Sequence, residues 1–175
     1  MLVPVRAPAD ETVEEVVDLF NQFRNPLLRY VLTLGLSLQD GEEVVQEVFL
    51  ALFRHLKEGK PRTNLKGWVF RVAHNLGLKQ RARNGRKNRL NSDESHAETF
   101  FATELNPEEE FAGMQRRQRL LEAVAVLPEP DRCCLYLRAE GLRYRQIAEV
   151  LGISLGGVSL SLARSLNRLA EVDGC

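Results

Sequence analysis

Wherever this chain is regular, its apolar residues recur at steps of three and four, and no stretch alternates apolar with polar. Val13, Val16, Val17, Phe20, Phe23, Leu27, Val31 and Leu34 form the first such stripe. That spacing returns a side chain to the same helix face and cannot line one face of a strand. Asp10 is expected to cap this helix, and Pro26 within it to kink it or divide it in two. Asp40 with Glu43 three residues on resembles a capping box, opening a helix with Val44, Val45, Val48, Phe49, Leu52, Phe53 and Leu56 on its apolar side. Gly59 and Pro61 break the chain. Asn64 is a plausible cap for a third helix whose core positions are Leu65, Trp68, Val69, Val72, Ala73 and Leu76. An all-α unit over residues 10–88 follows.

From Gly85 to Leu105 periodicity is lost, and residues 89–110 read as a linker. Asn106-Pro107 restarts regularity, because Asn caps well and Pro suits the first helical position. A second helical unit is expected over 111–172. It has a helix up to Pro128, a short one over Asp131–Ala139 ending at Gly141, and two more at about Arg143–Leu151 and Leu155–Ala170. The fold class is therefore all-α, two small helical domains joined by a flexible acidic connector.

The 24 Lys and Arg balance 24 Asp and Glu, but the charges are segregated. Arg62, Lys66, Arg71, Lys79, Arg81, Arg83, Arg86, Lys87 and Arg89 occur with no acid among them; Asp93, Glu94, Glu98, Glu104, Glu108, Glu109 and Glu110 follow with no Lys or Arg. A basic surface suited to a polyanion, then an acidic connector, is the simplest reading.

Tyr144-Arg-Gln-Ile-Ala-Glu-Val-Leu-Gly-Ile-Ser154, continuing through Val158 and Leu162, carries the most specific local signal. Ala148 is small where two helices cross, Gly152 sits where a tight turn needs a left-handed backbone, and Ser154 is placed to cap the next helix. The pattern resembles a DNA-binding helix-turn-helix. Leu155, Val158, Leu162, Leu166 and Leu169 are its expected buried stripe. Gly156, Ser159, Leu160, Ala163, Arg164, Asn167 and Arg168 then turn outward, with Arg143 and Arg145 placed for phosphates.

Several function classes are excluded or disfavoured. No run approaches the ~20 apolar residues of a membrane span, the N-terminal region lacks a signal-peptide layout, and Cys133, Cys134 and Cys175 make no disulfide framework. A cytoplasmic protein without membrane insertion is expected. His55, His74 and His96 have no metal-ligand spacing, and there is no phosphate loop or nucleophile elbow, so no metal, cofactor or enzyme activity is expected. Cys133 and Cys134 read as buried small hydrophobes. Trp68 reads as core rather than as a base-stacking platform. An ordinary dimeric helix-turn-helix regulator would account for residues 113–175 but leave the basic segment without a role.

Three stretches, in order, resemble the extracytoplasmic-function (ECF) sigma factors of bacterial RNA polymerase. They are Asp40–Arg54, Asn64–Asn75, and Leu127–Arg132 through Leu169. The resemblance implies that Glu43, Gln46, Glu47 and Arg54 dock on core polymerase. It implies that Lys60, Arg62, Asn64, Lys66, Arg71 and Asn75, extended by Lys79, hold the minus-ten element and its melted non-template strand. It places the minus-thirty-five duplex against Arg143, Arg145, Ser159, Leu160, Arg164 and Arg168. Lys79 stands where the family commonly has an acid, and Ser159-Leu160-Ser161 where it usually has a basic residue. Many family members are restrained by an anti-sigma protein; nothing in this sequence specifies one.

Overall fold

The computed structural model describes residues 8–88 and 111–174. Within them lie seven helices and no strand. The first unit comprises α1 (Pro8–Leu32), α2 (Leu38–Lys57) and α3 (Leu65–Asn88); the second comprises α4 (Phe111–Ala125), α5 (Glu129–Ala139), α6 (Tyr144–Leu151) and α7 (Leu155–Asp173). The expected connector and the Asn106-Pro107 restart fall outside the described residues.

Several boundaries differ from expectation. α1 begins at Pro8, so Asp10 stands inside its first turn, and the helix runs unbroken through Pro26. An interior proline costs about 3 kcal/mol. Here Phe23 precedes it and Leu27, Tyr30 and Val31 follow it in the core, so burial on both sides outweighs the lost hydrogen bond. α2 starts earlier than Asp40: Ser37 is its cap, Oγ accepting from the Asp40 amide at 3.1 Å and donating to Asp40 Oδ2 at 2.9 Å. Asp40 instead braces α3, accepting from Gln80 Nε2 at 3.2 Å and Asn84 Nδ2 at 2.9 Å. Buried Gly41 lets α2 cross α1 closely, since a Cβ there would sit 3.1 to 3.3 Å from Leu28, Leu32 and Val31.

The second unit follows the sequence pattern closely up to α7. Gly152 is left-handed (φ 66°), and Ser154 Oγ accepts from the Gly157 amide at 3.0 Å. On α7 the buried stripe is rotated from the expected leucines: Val158, Ser161, Leu162 and Ser165 are buried, while Leu155 and Leu166 are exposed. Ser165 satisfies its hydroxyl by donating to the Ser161 carbonyl at 2.8 Å, so small serines fill the crossing without an orphaned polar group.

The two units share one continuous apolar core running from Phe23 to Leu162. Four residues on one stripe of α5, and Glu140 just past its end, touch the first unit. Glu129 receives a bidentate bond from Arg81 (2.5 and 3.3 Å), and Arg132 donates to the Thr33 carbonyl at 3.2 Å. Cys133 meets the Tyr30 hydroxyl, the Tyr136 ring centroid lies 6.2 Å from that of Tyr30, and Glu140 pairs with Arg29 at 3.6 Å.

Candidate polymerase and nucleic-acid interfaces

α2 buries Val44, Val45, Val48, Phe49 and Leu52 against α1 and α3, and this fixes the opposite side outward. Glu43, Gln46, Glu47 and Arg54 are all exposed there. Beside Gln46 a shallow apolar groove between α1 and α2 is walled by Val13, Val17, Phe20, Phe49, Leu50 and Phe53. The sequence reading missed it. Val17, placed on the first apolar stripe by its spacing, is 50% exposed, and Leu50, off the second stripe, is 57% exposed. Acidic side chains beside an apolar groove suit a partner helix with an apolar stripe and basic flanks.

α3 opens at Asn64, whose left-handed backbone (φ 57°) is tolerated by its short polar side chain; Oδ1 accepts from the Gly67 amide at 3.2 Å. The basic residues expected on one surface are divided by this helix. Arg71, Asn75 and Lys79 recur every four residues on a single exposed ridge. Lys66 points to the other side and donates from Nζ to the Glu140 carbonyl. Asn64 accepts from Gln146 Nε2, and the Gln146 Oε1 accepts from the Arg143 amide at 2.7 Å, so one glutamine ties two helix starts together. In the preceding loop Lys60 pairs with Glu58 (2.5 Å) and Arg62 with Glu15 (3.1 Å). His55 holds this loop through a bond between Nε2 and the Pro61 carbonyl at 2.9 Å, and half-buried Trp68 packs its ring 4.7 Å from that of His55.

His74, next to the ridge, faces inward and shares a 2.8 Å hydrogen bond between Nδ1 and the Tyr30 hydroxyl. Burial lowers its pKa, opposed by nearby Glu129. The same burial raises Tyr30 well above its usual value and pushes the Cys133 thiol up to about 11. Cys133 and Cys134 are therefore unreactive hydrophobes in this arrangement.

The helix-turn-helix presents Arg143, Arg145, Ser159, Leu160 and Arg168 to solvent. Arg164 has an internal partner: Nε and Nη2 reach Asp131 at 3.2 and 2.7 Å, and the Asp131 side chain is 2% exposed against 51% for Arg164. The Arg164 hydrogen bond is the main reason the Asp131 carboxyl titrates below its usual range, against the cost of burial. The sequence could not show this pair, since 33 residues separate its members. Among the described residues no cluster of His, Cys, Asp and Glu is built to hold a metal, and no single helix is long and apolar enough to cross a membrane.

Two helical units, one with an acid-free basic ridge and one with a helix-turn-helix, define a DNA-engaging transcription protein. Residues 19–87 match the family described as Sigma-70 region 2, and residues 117–169 that described as Sigma-70, region 4. The chain is 29% identical over 155 residues to the ECF RNA polymerase sigma factor SigE of Mycolicibacterium smegmatis, covering 88% of this chain and 60% of that protein. It is 29% identical to the ECF RNA polymerase sigma-E factor of Escherichia coli, covering 72% and 70% of the two chains. In fold it is similar to the sigma factor RpoE of Bartonella quintana solved with the anti-sigma factor NepR (TM-score 0.67, 21% identity, 89% and 96% coverage). CnrH solved with the cytosolic domain of CnrY is a second similar structure (TM-score 0.60, 19% identity, 94% and 93% coverage). The chain belongs to the sigma-70 family, within its ECF group of RNA polymerase sigma factors, which direct promoter-specific transcription initiation.

Proposed function

We propose that this chain acts by non-covalent assembly, without catalysis of its own, in the cytoplasm where core polymerase and chromosome meet. The exposed α2 side, with Glu43, Gln46, Glu47 and Arg54, docks on the polymerase core. The α3 ridge of Arg71, Asn75 and Lys79 holds the opened non-template strand of the minus-ten element. Lys60, Arg62, Asn64 and Lys66 join once their internal partners are exchanged for phosphate and base edges. Single strands are held by a cationic track with polar groups beside it, and the acid-free ridge is the observation that carries this reading.

In the second unit, α7 enters the major groove of the upstream duplex. Ser159 and Leu160 face bases there, with Leu160 suited to a thymine methyl, while Arg143, Arg145 and Arg168 approach phosphates. Arg164 has a different part: it holds α7 to α5 through Asp131 and so sets the angle at which the helix is presented. By analogy with RpoE, solved with the anti-sigma factor NepR, an anti-sigma protein is a further partner class. Run-off transcription with purified core polymerase and mapped start sites tests the whole. Discrete starts that depend on this chain are expected; absence of core binding would remove the reading.

A further inference from the structure

The loop between α2 and α3 exposes Lys60, Arg62, Thr63 and Asn64 in close succession. Its two cations are held through their side chains alone, Lys60 by Glu58 and Arg62 by Glu15. Both pairs lie at the surface, where an ion pair adds little and is readily traded for a phosphate. If nothing else held the loop, that trade would also release its backbone.

The backbone is held by a different residue. His55 stands in the last turn of α2. Its carbonyl accepts from the Lys60 amide at 3.2 Å, and its ring Nε2 donates to the Pro61 carbonyl at 2.9 Å. A carbonyl only accepts, so Nε2 carries the proton. Pro61 has no amide to offer, which leaves that carbonyl as its one backbone hydrogen-bonding group. One histidine thus grips the chain on both sides of the Lys60–Pro61 peptide bond. Its own ring is fixed in turn by Trp68, with centroids 4.7 Å apart and planes tilted by 44°. Trp68 belongs to the first turn of α3, and its amide donates to the Asn64 carbonyl at 3.0 Å, at the far end of the same loop. His55 therefore ties together the end of α2, the middle of the loop and the start of α3.

We propose that His55 is a positioning residue for the melted strand: it keeps the loop backbone in place while Lys60 and Arg62 exchange carboxylates for phosphates, so that bases beside Asn64 are met at a fixed distance. The inference rests on the assignment of this loop to the minus-ten strand. A loop held only through its cations would follow the phosphates and carry no sequence information. With its backbone held, the same phosphate contacts set a register for the bases. Loss of the His55 bond should therefore cost discrimination rather than electrostatic capture.

The test compares His55→Gln with His55→Asn in the full chain bound to core polymerase. Gln carries an amide nitrogen at about the reach of Nε2, and Asn is one carbon too short. Binding is measured on a pre-melted bubble from a start-mapped promoter and on the same bubble with its non-template strand scrambled. His55→Asn should lower the ratio of matched to scrambled affinity roughly fivefold, as loss of one hydrogen bond of ordinary net strength allows. The salt slope should stay as in wild type, because no cation has been removed. His55→Gln should keep the wild-type ratio. Trp68 is the chain's single tryptophan and gives a second readout. Both variants remove the ring that packs on it, so a difference between them reports the loop. Acrylamide should quench Trp68 more steeply in His55→Asn than in His55→Gln. Equal ratios in the two variants, both as wild type or both lowered, would overturn the positioning role and leave the sigma reading intact, and equal quenching would overturn it as well. Wild-type holoenzyme that did not distinguish the two bubbles would remove the strand assignment, and the inference with it.

Discussion

The two helices proposed to touch DNA are built on opposite plans. On α3, Arg71 and Lys79 point outward with no ion-pair partner among the described residues, and Asn75 stands between them. On α7 the arginine nearest Leu160 is fastened to a buried carboxylate, and three leucines, Leu155, Leu160 and Leu166, are left facing solvent. A helix that keeps its cations open can exchange them among phosphates of any sequence. A helix that commits a cation internally and exposes apolar tips gives up reach in return for a fixed presentation. The comparison separates electrostatic capture from shape-determined docking, and it can be broken at either helix or at the α2 side that neither plan involves.

The largest expected effect lies outside both helices. Glu47→Lys places a cation in the middle of the exposed acidic side of α2, where juxtaposition of like charges costs several kcal/mol. Core binding measured by pull-down or interferometry should fall by more than about a hundredfold while Tm is unchanged, because Glu47 is exposed. Unchanged affinity would remove α2 as the docking side. The next effect is on stability. Asp131→Asn keeps the shape and removes the charge that holds Arg164, and Tm should fall by roughly 5 °C. The sign with pH follows from the depressed carboxyl. Its contribution is full above the ordinary aspartate range and is lost as pH falls through the lowered folded-state value. Wild type should therefore lose stability on that acid limb more steeply than the variant; parallel curves would mean the pair does not hold α7.

On α3 the expected effect is smaller and electrostatic. Arg71→Gln with Lys79→Gln removes two strand phosphate contacts, which should lower the slope of log affinity against log salt by about 1.4 for single-stranded DNA. Permanganate reactivity of the melted strand, followed from low to moderate salt, measures it. Normal melting at every salt concentration would mean that the ridge does not hold the strand, and the contrast with α7 would lose its first term.

Much of this contrast was legible along the chain, but unevenly. Helix identities, the left-handed turn at Gly152 and the Ser154 cap are local, set by residues within four positions of each other, and they stand where spacing placed them. The departures share one cause. Pro26 stays helical because residues on both sides are buried, Ser37 replaces Asp40 as a cap because Asp40 is drawn to Gln80 and Asn84, and the α7 stripe follows Ser161 and Ser165 because the crossing is tight. Each is decided by a partner more than thirty residues away or on another helix, which periodicity does not encode. The ridge at Arg71, Asn75 and Lys79 was readable because exposure needs no partner. The commitment of Lys66, Asn64 and Arg164 was unreadable because it needs one.

The smallest effect discriminates most finely, since it compares two arginines one helical turn apart. Arg168 is exposed, and its charge already contributes to the field at Asp131 without a direct bond. If it meets only a phosphate, Arg168→Ala should weaken upstream-duplex binding alike for all sequences and lower the salt slope by about one. Arg164 is held by Asp131, so Arg164→Ala should leave that slope nearly unchanged. It should instead lower Tm and blunt sequence preference, because α7 is no longer held at a fixed angle to α5. Binding titrations on matched and scrambled upstream elements at four salt concentrations, with thermal melts of the same preparations, separate the two. A pre-melted template should hide much of either defect, because strand capture belongs to the first unit. If Arg164→Ala instead lowered the slope by one with its Tm intact, Arg164 would have to leave Asp131 to reach DNA. Both helices would then capture DNA by exchangeable cations.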